Sequence, residues 1–301
     1  DVYKRQSPGR LIILFAIPLM LGNICQQLYT MVDTMVVGQI AGVEALAALG
    51  AVDFLMWVVT GISTGLTQGF SIQLSQYYGA KDFENLRKSL AHSYRLAAFI
   101  AAGVLILSQS FASLVLTGLH TPSNIIGMSL LYLRIIFCGI PATAAYNMFA
   151  AALRAMGNSK TPLTAMIIAS VLNVSLDILF VAGFGWGVAG AAIATVIAQS
   201  FSAVYCFLIL RRIDIVHLTR ADFMPASGMN ARLMKLGIPV VFQNIIIGVG
   251  GLVVQYVING YGFLFVAGFT ATNKLYGLLE MAAISYGCLL YTSDAADEED
   301  S

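Results

Sequence analysis

Charged side chains are scarce in this sequence. Only 10% of its 301 residues are Asp, Glu, Lys or Arg, whereas 58% are hydrophobic, and the mean hydropathy is +0.83. A soluble domain carries about 25% charged residues, because these cover its surface. The shortage excludes a soluble globular protein, and the high hydrophobic content excludes a disordered one. A polytopic membrane protein remains.

Enzyme motifs and a cysteine framework are also missing. The sequence has no HExxH zinc motif, no Walker loop and no glycine-rich dinucleotide turn. Its four cysteines show no metal-ligand spacing, and we expect free thiols. We therefore expect no enzymatic activity, no cofactor and no nucleic-acid partner.

Eight long apolar segments account for most of the chain. Each provides the roughly 20 apolar residues that a membrane-spanning helix needs, and each is too long for a barrel strand of about 10 residues. The predicted fold class is an all-α polytopic helix bundle with eight spans. The segments lie at about 11–38, 46–74, 93–116, 126–150, 162–182, 188–210, 235–258 and 264–287.

Lysine and arginine are missing from every second loop. The loops after segments 2, 4 and 6 carry eleven of these residues in or beside them, and the loops after segments 1, 3, 5 and 7 carry none. The positive-inside rule therefore predicts a cytoplasmic N-terminus and cytoplasmic even-numbered loops. We expect a multi-pass protein in the inner (plasma) membrane of a bacterium.

The long basic loop at residues 211–234 separates two halves. We predict a six-helix N-lobe at residues 7–210 and the first two helices of a C-lobe at residues 235–287. Gly237-Ile-Pro-Val240 after the loop resembles Ala16-Ile-Pro-Leu19 near the start. An even number of spans separates the two stretches, so the halves share one orientation, as in transporters built from parallel repeats.

The two ends of the sequence differ from everything between them. Back-translation of residues 1–6 (GAT GTG TAT AAG AGA CAG) and of residues 288–293 (TGT CTC TTA TAC ACA TCT) gives the same DNA on opposite strands. That DNA resembles a transposase end used in sequencing libraries. We expect residues 1–6 and 288–301 to be non-native sequencing scars and residues 7–287 to be a fragment cut at both ends. A pair of genuine polar tails is the alternative.

Four polar residues inside the spans require an explanation, because a charge at the bilayer centre costs about 2.5–3.5 kcal/mol on insertion scales. Asp33 lies deep in segment 1, and Thr195 lies in segment 6. Asn173 and Asp177 share one face of segment 5. Oxygen ligands of this kind suit a small hard cation, and a buried carboxylate can instead carry a proton. Hydrogen bonding between helices is the structural alternative.

Other charged residues receive weaker predictions. Asp53 and Arg134 fall in the outer parts of their spans, where we expect them to pair with each other or to reach the interface. His92, at the start of segment 3, is expected at the membrane interface. Lys274 and Glu280 lie in segment 8 and receive no role.

Several stretches, taken in order and spacing, resemble the multidrug and toxic compound extrusion (MATE) family. The resemblance implies two six-helix lobes around a central cavity that opens to either side in turn. The stretches are Pro18–Gly38, Tyr77-Tyr-Gly-Ala-Lys-Asp82, Ala152-Leu-Arg-Ala-Met-Gly-Asn-Ser-Lys-Thr-Pro162, Asn173-Val-Ser-Leu-Asp177 and Gly237-Ile-Pro239.

The resemblance also implies roles for particular residues. Asp33, Asn173, Asp177 and Thr195 fall where the family builds an N-lobe cation site, which would take H+ or Na+ and no other metal. One branch of the family uses a glutamate on helix 7 instead, but residues 242–247 contain no acid.

Three further residues are expected at the cavity. Tyr29 lies one turn before Asp33, and Pro18 matches the proline at which helix 1 bends. Gln26 either lines the cavity or forms a hydrogen bond between helices.

The function that follows is a secondary active antiporter. It would act as a monomer in the bilayer and export amphipathic, often cationic, small molecules in exchange for H+ or Na+. A lipid-linked oligosaccharide flippase of the same superfamily is one alternative, but its cavity would need basic residues, and Arg134 alone lies well inside an N-lobe span. A passive channel or receptor-like membrane module is the other.

Overall fold

The computed structural model describes residues 8–224 and 228–277, with the backbone alone at residues 8–20 and 23. Every regular element in these ranges is helical. The helices are α1 (Pro8–Ile40), α2 (Val43–Gly50), α3 (Asp53–Gly79), α4 (Phe83–Gly118), α5 (Ile126–Cys138), α6 (Ile140–Ala155), α7 (Lys160–Asp177), α8 (Gly187–Leu210) and α9 (Met229–Asn259). A further helix, α10, covers residues 263–277. The predicted scars at both ends, and Glu280, lie outside the described residues.

The helices have the length and polarity of membrane spans. In the described part of the chain, five are long and apolar enough to cross a bilayer, or six if α5 and α6 count as one bent span. Large apolar side chains point outward, as Phe99 (80% exposed) and Ile246 (70% exposed) show. Such a surface is stable only against lipid. The chain is an all-α polytopic membrane protein, as the sequence predicts.

Several segments depart from simple straight spans. Predicted segment 2 is divided by a turn at residues 51–52 between α2 and α3, and segment 4 bends by 47° between α5 and α6. Pro141 lies in the first turn of α6, where its missing N–H is tolerated. A π-helix at Ile178–Gly183 continues α7. Helix α9 begins at Met229, before the predicted start at residue 235.

Helix α3 packs along α9 and so joins the first six segments to the start of the second half. At Gly69 the two backbones approach so closely that a Cβ atom there would overlap Gly237. Further along, Asn244 Nδ2 donates a 3.0 Å hydrogen bond to the Gly61 carbonyl. Because Gly69 has no side chain, the backbones of α3 and α9 can approach each other this closely.

Two large apolar clusters and a smaller third one fill the described part of the bundle at different depths. We call the predicted cytoplasmic side the inner end and the opposite side the outer end; the small cluster lies near the outer end. Phe70, Leu86 and Leu153 belong to the large cluster near the inner end. Val37 and Leu133 belong to the second large cluster, near the outer end. The predicted polar site lies beside the second cluster.

Candidate cation site

The four predicted cation ligands lie at similar depth below the outer end. Asp33 is about two turns before the end of α1, and Thr195 is about two turns after the start of α8. Asp177 ends α7, and the π-helix separates it from the outer turn. Since α1 packs on α7 and α7 packs on α8, the three helices bring these side chains toward one region.

Three of the four side chains are almost fully buried. Asp33 is 3% exposed, Asn173 is 1% exposed and Asp177 is 0% exposed. Asn173 Nδ2 lies 3.4 Å from Thr195 Oγ1, to which it donates across the α7–α8 contact. The predicted shared face of Asn173 and Asp177 is therefore an inward face.

Several oxygens of this group lack hydrogen-bond donors. Among the described residues, nothing donates to Asp33 Oδ1, Asn173 Oδ1 or either carboxylate oxygen of Asp177. A buried polar atom without a partner costs about 1–3 kcal/mol, and a charged one costs more, so folded proteins rarely keep such atoms. Unsatisfied oxygens on neighbouring helices are groups that a proton or an oxygen-preferring cation could satisfy.

The two carboxylates act on each other. Asp33 and Asp177 lie within electrostatic range, and the hydroxyls of Tyr29 and Tyr132 lie within range of both. Two like charges on neighbouring helices repel each other in a low-dielectric region. The pair can therefore respond to a cation as a unit.

The predicted cavity residues have different positions. Tyr29 is 9% exposed, and its hydroxyl accepts a 3.4 Å hydrogen bond from Gln199 Nε2. Gln26 is exposed on α1. Pro18 lies within α1, but its side chain is outside the described part of the chain. Tyr29 therefore lies beside the acids.

Of the two alternatives for Asp53 and Arg134, the pairing of these residues is wrong, and the interface position of Arg134 remains a prediction. Asp53 Oδ2 lies 2.8 Å from Lys274 Nζ, while Arg134 is exposed on α5. The partner comes from α10 because that helix packs over the start of α3. Both charges of this pair lie within electrostatic range of Asp33. The sequence alone did not predict a role for Lys274. The one sequence feature that indicates its position is the helical spacing of Thr270, Lys274 and Gly277, which places the three on one helix face.

The interface position of His92 remains a prediction, but the structure shows that the side chain is buried. His92 is 1% exposed, and its ring nitrogens lie 2.7 Å from Asn230 Oδ1 and 3.0 Å from the Met224 carbonyl oxygen. The loop between α8 and α9 covers this histidine, which the position at the start of a span did not reveal.

Comparison with known proteins gives one consistent family. The MatE family model matches residues 18–179. The chain is 31% identical to the "Probable multidrug resistance protein YpnP" of Bacillus subtilis (strain 168), over 92% of this chain and 62% of that protein. It is 22% identical to the "Multidrug export protein MepA" of Staphylococcus saprophyticus, over 91% of this chain and 61% of that protein. The chain therefore spans about three-fifths of the length of these relatives.

Solved structures show the same fold. A multidrug resistance MATE family transporter of the MOP superfamily in its inward-facing conformation superposes with a TM-score of 0.82 at 21% identity, over 92% of this chain and 64% of that one. An outward-facing structure of such a transporter gives 0.77 at 23% identity, over 98% and 71%. The helical arrangement described above is thus one that this group of transporters adopts.

Proposed function

This chain belongs to the MATE family of multidrug efflux transporters, and on that basis we propose that it is part of an antiporter that couples export of organic cations and drugs to inward movement of H+ or Na+. The observation that supports coupling through the first half is the group of buried oxygens of Asp33, Asn173 and Asp177, which lack donors among the described residues. The protein would act as a monomer in the plasma membrane.

This group of side chains could respond to cation binding in an all-or-none way. With both carboxylates ionised and no cation present, repulsion and desolvation make the site unfavourable. A proton on one acid, or a Na+ between the two with Asn173 and Thr195 as neutral ligands, removes that penalty. A cation drives a conformational change only if it binds one conformation more tightly than the other. Helix α1 is the element that carries Asp33, so we propose that it moves.

The sequence contains no Walker loop that could bind ATP. The energy for export would therefore come from an ion gradient. The substrate is proposed to be amphipathic and cationic, because a cationic compound and the coupling ion can then compete for the same negative potential.

Dye transport by everted vesicles containing the full-length protein tests this function, because efflux by the protein then carries dye into the vesicle lumen. Efflux should follow an imposed pH gradient without Na+, or an imposed Na+ gradient without a pH difference, and the arm that works identifies the ion. A passive channel would let the dye equilibrate without either gradient. A lipid-linked oligosaccharide flippase would leave the dye in place under both. Either of these results overturns the proposal.

A further inference from the structure

Helix α10 presents one face to the first half of the chain. Thr270, Lys274 and Gly277 are spaced by four and three residues, so they lie along one helix face. Thr270 packs against Gly50, and Gly277 packs against the side chain of Gln27. The middle contact of the three is the ion pair between Lys274 and Asp53, which we call the outer ion pair.

A small apolar cluster lies near the outer ion pair. It is formed by α2, the turn after α2, α9 and α10, and it includes Ala47, Ala51, Ile258 and Val266. The side chain of Lys274 is 17% exposed and that of Asp53 is 28% exposed. The pair is thus partly withdrawn from water while the outer ends are in contact, and it would be hydrated if they separated.

The two partners of the pair are not equivalent. Asp53 is the first residue of α3, where the helix dipole stabilises a negative charge. Its carboxylate is therefore favourable with or without Lys274. Lys274 lies within its helix and has only the carboxylate of Asp53 in salt-bridge contact among the described residues. Loss of Asp53 leaves an unpaired, mostly buried ammonium, which is the more costly change.

We propose that Lys274 is a functional residue of the transport cycle, whose ion pair with Asp53 holds the outer end closed and separates each time that end opens. The inference rests on the proposed function, because separation occurs only in a protein that alternates between inward- and outward-open states. An ion pair suits this task better than added apolar contact, since water re-solvates both charges when the contact opens.

Accessibility of Thr270 provides the first test. Thr270 is 2% exposed, and Thr270→Cys is close in size. The full-length protein, otherwise free of cysteine, is labelled from outside with a membrane-impermeant maleimide. Lys274→Gln should raise the labelling rate by about tenfold, and Asp53→Asn should raise it further, as expected for breaking a partly buried pair. The charge swap Asp53→Lys with Lys274→Asp should bring the rate back close to the parent value.

A matched control comes from an exposed ion pair on α4. Lys88 Nζ lies 2.7 Å from Glu84 Oε1, with 34% and 70% of the two side chains exposed. Lys88→Gln should leave Thr270→Cys labelling unchanged, because exposed pairs contribute little. A Lys274→Gln rate no higher than that of Lys88→Gln overturns the proposal. A swapped protein that labels as fast as the single variants overturns it too.

Cross-linking distinguishes a moving contact from a static one. Asp53→Cys with Lys274→Cys, joined by a short bis-maleimide, should lose the dye efflux that the same variant shows before joining, while each single-cysteine variant should keep the rate it had before the treatment. Full efflux by the joined protein would refute the proposal with the transport function intact. If the parent protein itself shows no efflux, the proposed function fails, and the labelling experiment still decides whether the pair closes the outer end.

Discussion

The buried aspartates of this chain differ in their hydrogen bonding: Asp222 has several donors, whereas Asp33 and Asp177 keep oxygens that have none among the described residues. Asp222, in the loop before α9, is 5% exposed. Its Oδ2 accepts hydrogen bonds from the Thr219 amide (2.7 Å) and hydroxyl (2.8 Å), and its Oδ1 lies 3.8 Å from Arg87 Nε. Asp33 and Asp177 are equally buried but keep oxygens without donors among the described residues.

The difference separates a carboxylate that belongs to the fold from one that awaits a ligand. The donors of Asp222 form a capping box for the short helix Arg220–Phe223, so its charge is part of a stable local structure. In the part of the chain that the structure describes, no donor reaches Asp33 Oδ1 or either carboxylate oxygen of Asp177. We therefore assign the first to structure and the second to ion coupling, and the following predictions test that division.

The largest expected effect is on transport. Asp33→Asn and Asp177→Asn should each reduce gradient-driven dye efflux to the background of vesicles without the protein, because neither variant can bind and release the coupling ion. Membrane insertion should be unchanged, since the bilayer favours the neutral side chain. Asp214→Asn, in the exposed part of the same loop as Asp222, is the control and should transport normally. Wild-type efflux by Asp33→Asn would make Asp33 structural.

Stability should show the reverse order. Asp222→Ala should lower the free energy of unfolding by about 0.5–2 kcal/mol, because it removes the hydrogen bonds that cap the short helix Arg220–Phe223. Asp33→Asn should cause no loss, because it removes an unsatisfied charge. Thermal unfolding of the purified full-length variants in detergent measures both. If Asp33→Asn proves the less stable of the two, the division between the groups is mistaken.

A smaller effect is expected at the neutral ligands. Asn173→Ala and Thr195→Val should each weaken the affinity for the coupling ion by about three- to tenfold, because each removes one contact with the strength of a hydrogen bond. Efflux at saturating ion concentration should recover. The half-saturating ion concentration of efflux is the quantity to measure. A complete loss at every concentration would instead indicate that these side chains hold the helices together.

The smallest effect concerns pH and Asp222. Burial by itself raises the pKa of Asp222, but hydrogen bonds from Thr219 and the charges of Arg87 and Lys88 outweigh it, so the pKa lies below the usual value. The stabilisation is therefore complete above the unfolded-state pKa of about 3.9 and disappears as the pH falls through the folded-state pKa. The stability gap between wild type and Asp222→Asn should narrow below about pH 4. A gap that widens there would contradict this sign.

Much of the fold could be predicted from the sequence because lipid imposes simple rules. Long apolar segments must be helices, and the basic loops mark their ends. The common face of Asn173 and Asp177 follows from helical spacing. The π-helix after Asp177 has no local signal, since the same apolar residues would continue an α-helix equally well.

Contacts between distant segments were the part that could not be predicted. Two basic residues, Lys274 and Arg134, could have formed an ion pair with Asp53. The pair forms with Lys274 because α10 lies against the start of α3. His92 is covered because the loop folds back over α4, where Arg95 also donates to the Phe223 carbonyl at 2.7 Å. The Thr219–Asp222 spacing predicts a local cap, but nothing in it predicts where the cap docks. Convergence of α1 with α7 was implied by family resemblance alone.

Infrared difference spectroscopy of the full-length protein tests the central claim most directly. The claim is that Asp33 and Asp177 form one cation-binding unit. Raising the pH or adding Na+ should remove a protonated-carboxyl band in the wild type, and either Asp33→Asn or Asp177→Asn should change the midpoint of the remaining band, since coupled acids titrate as a pair. A band that keeps its wild-type midpoint after the other acid is replaced would show two independent aspartates and would contradict the account.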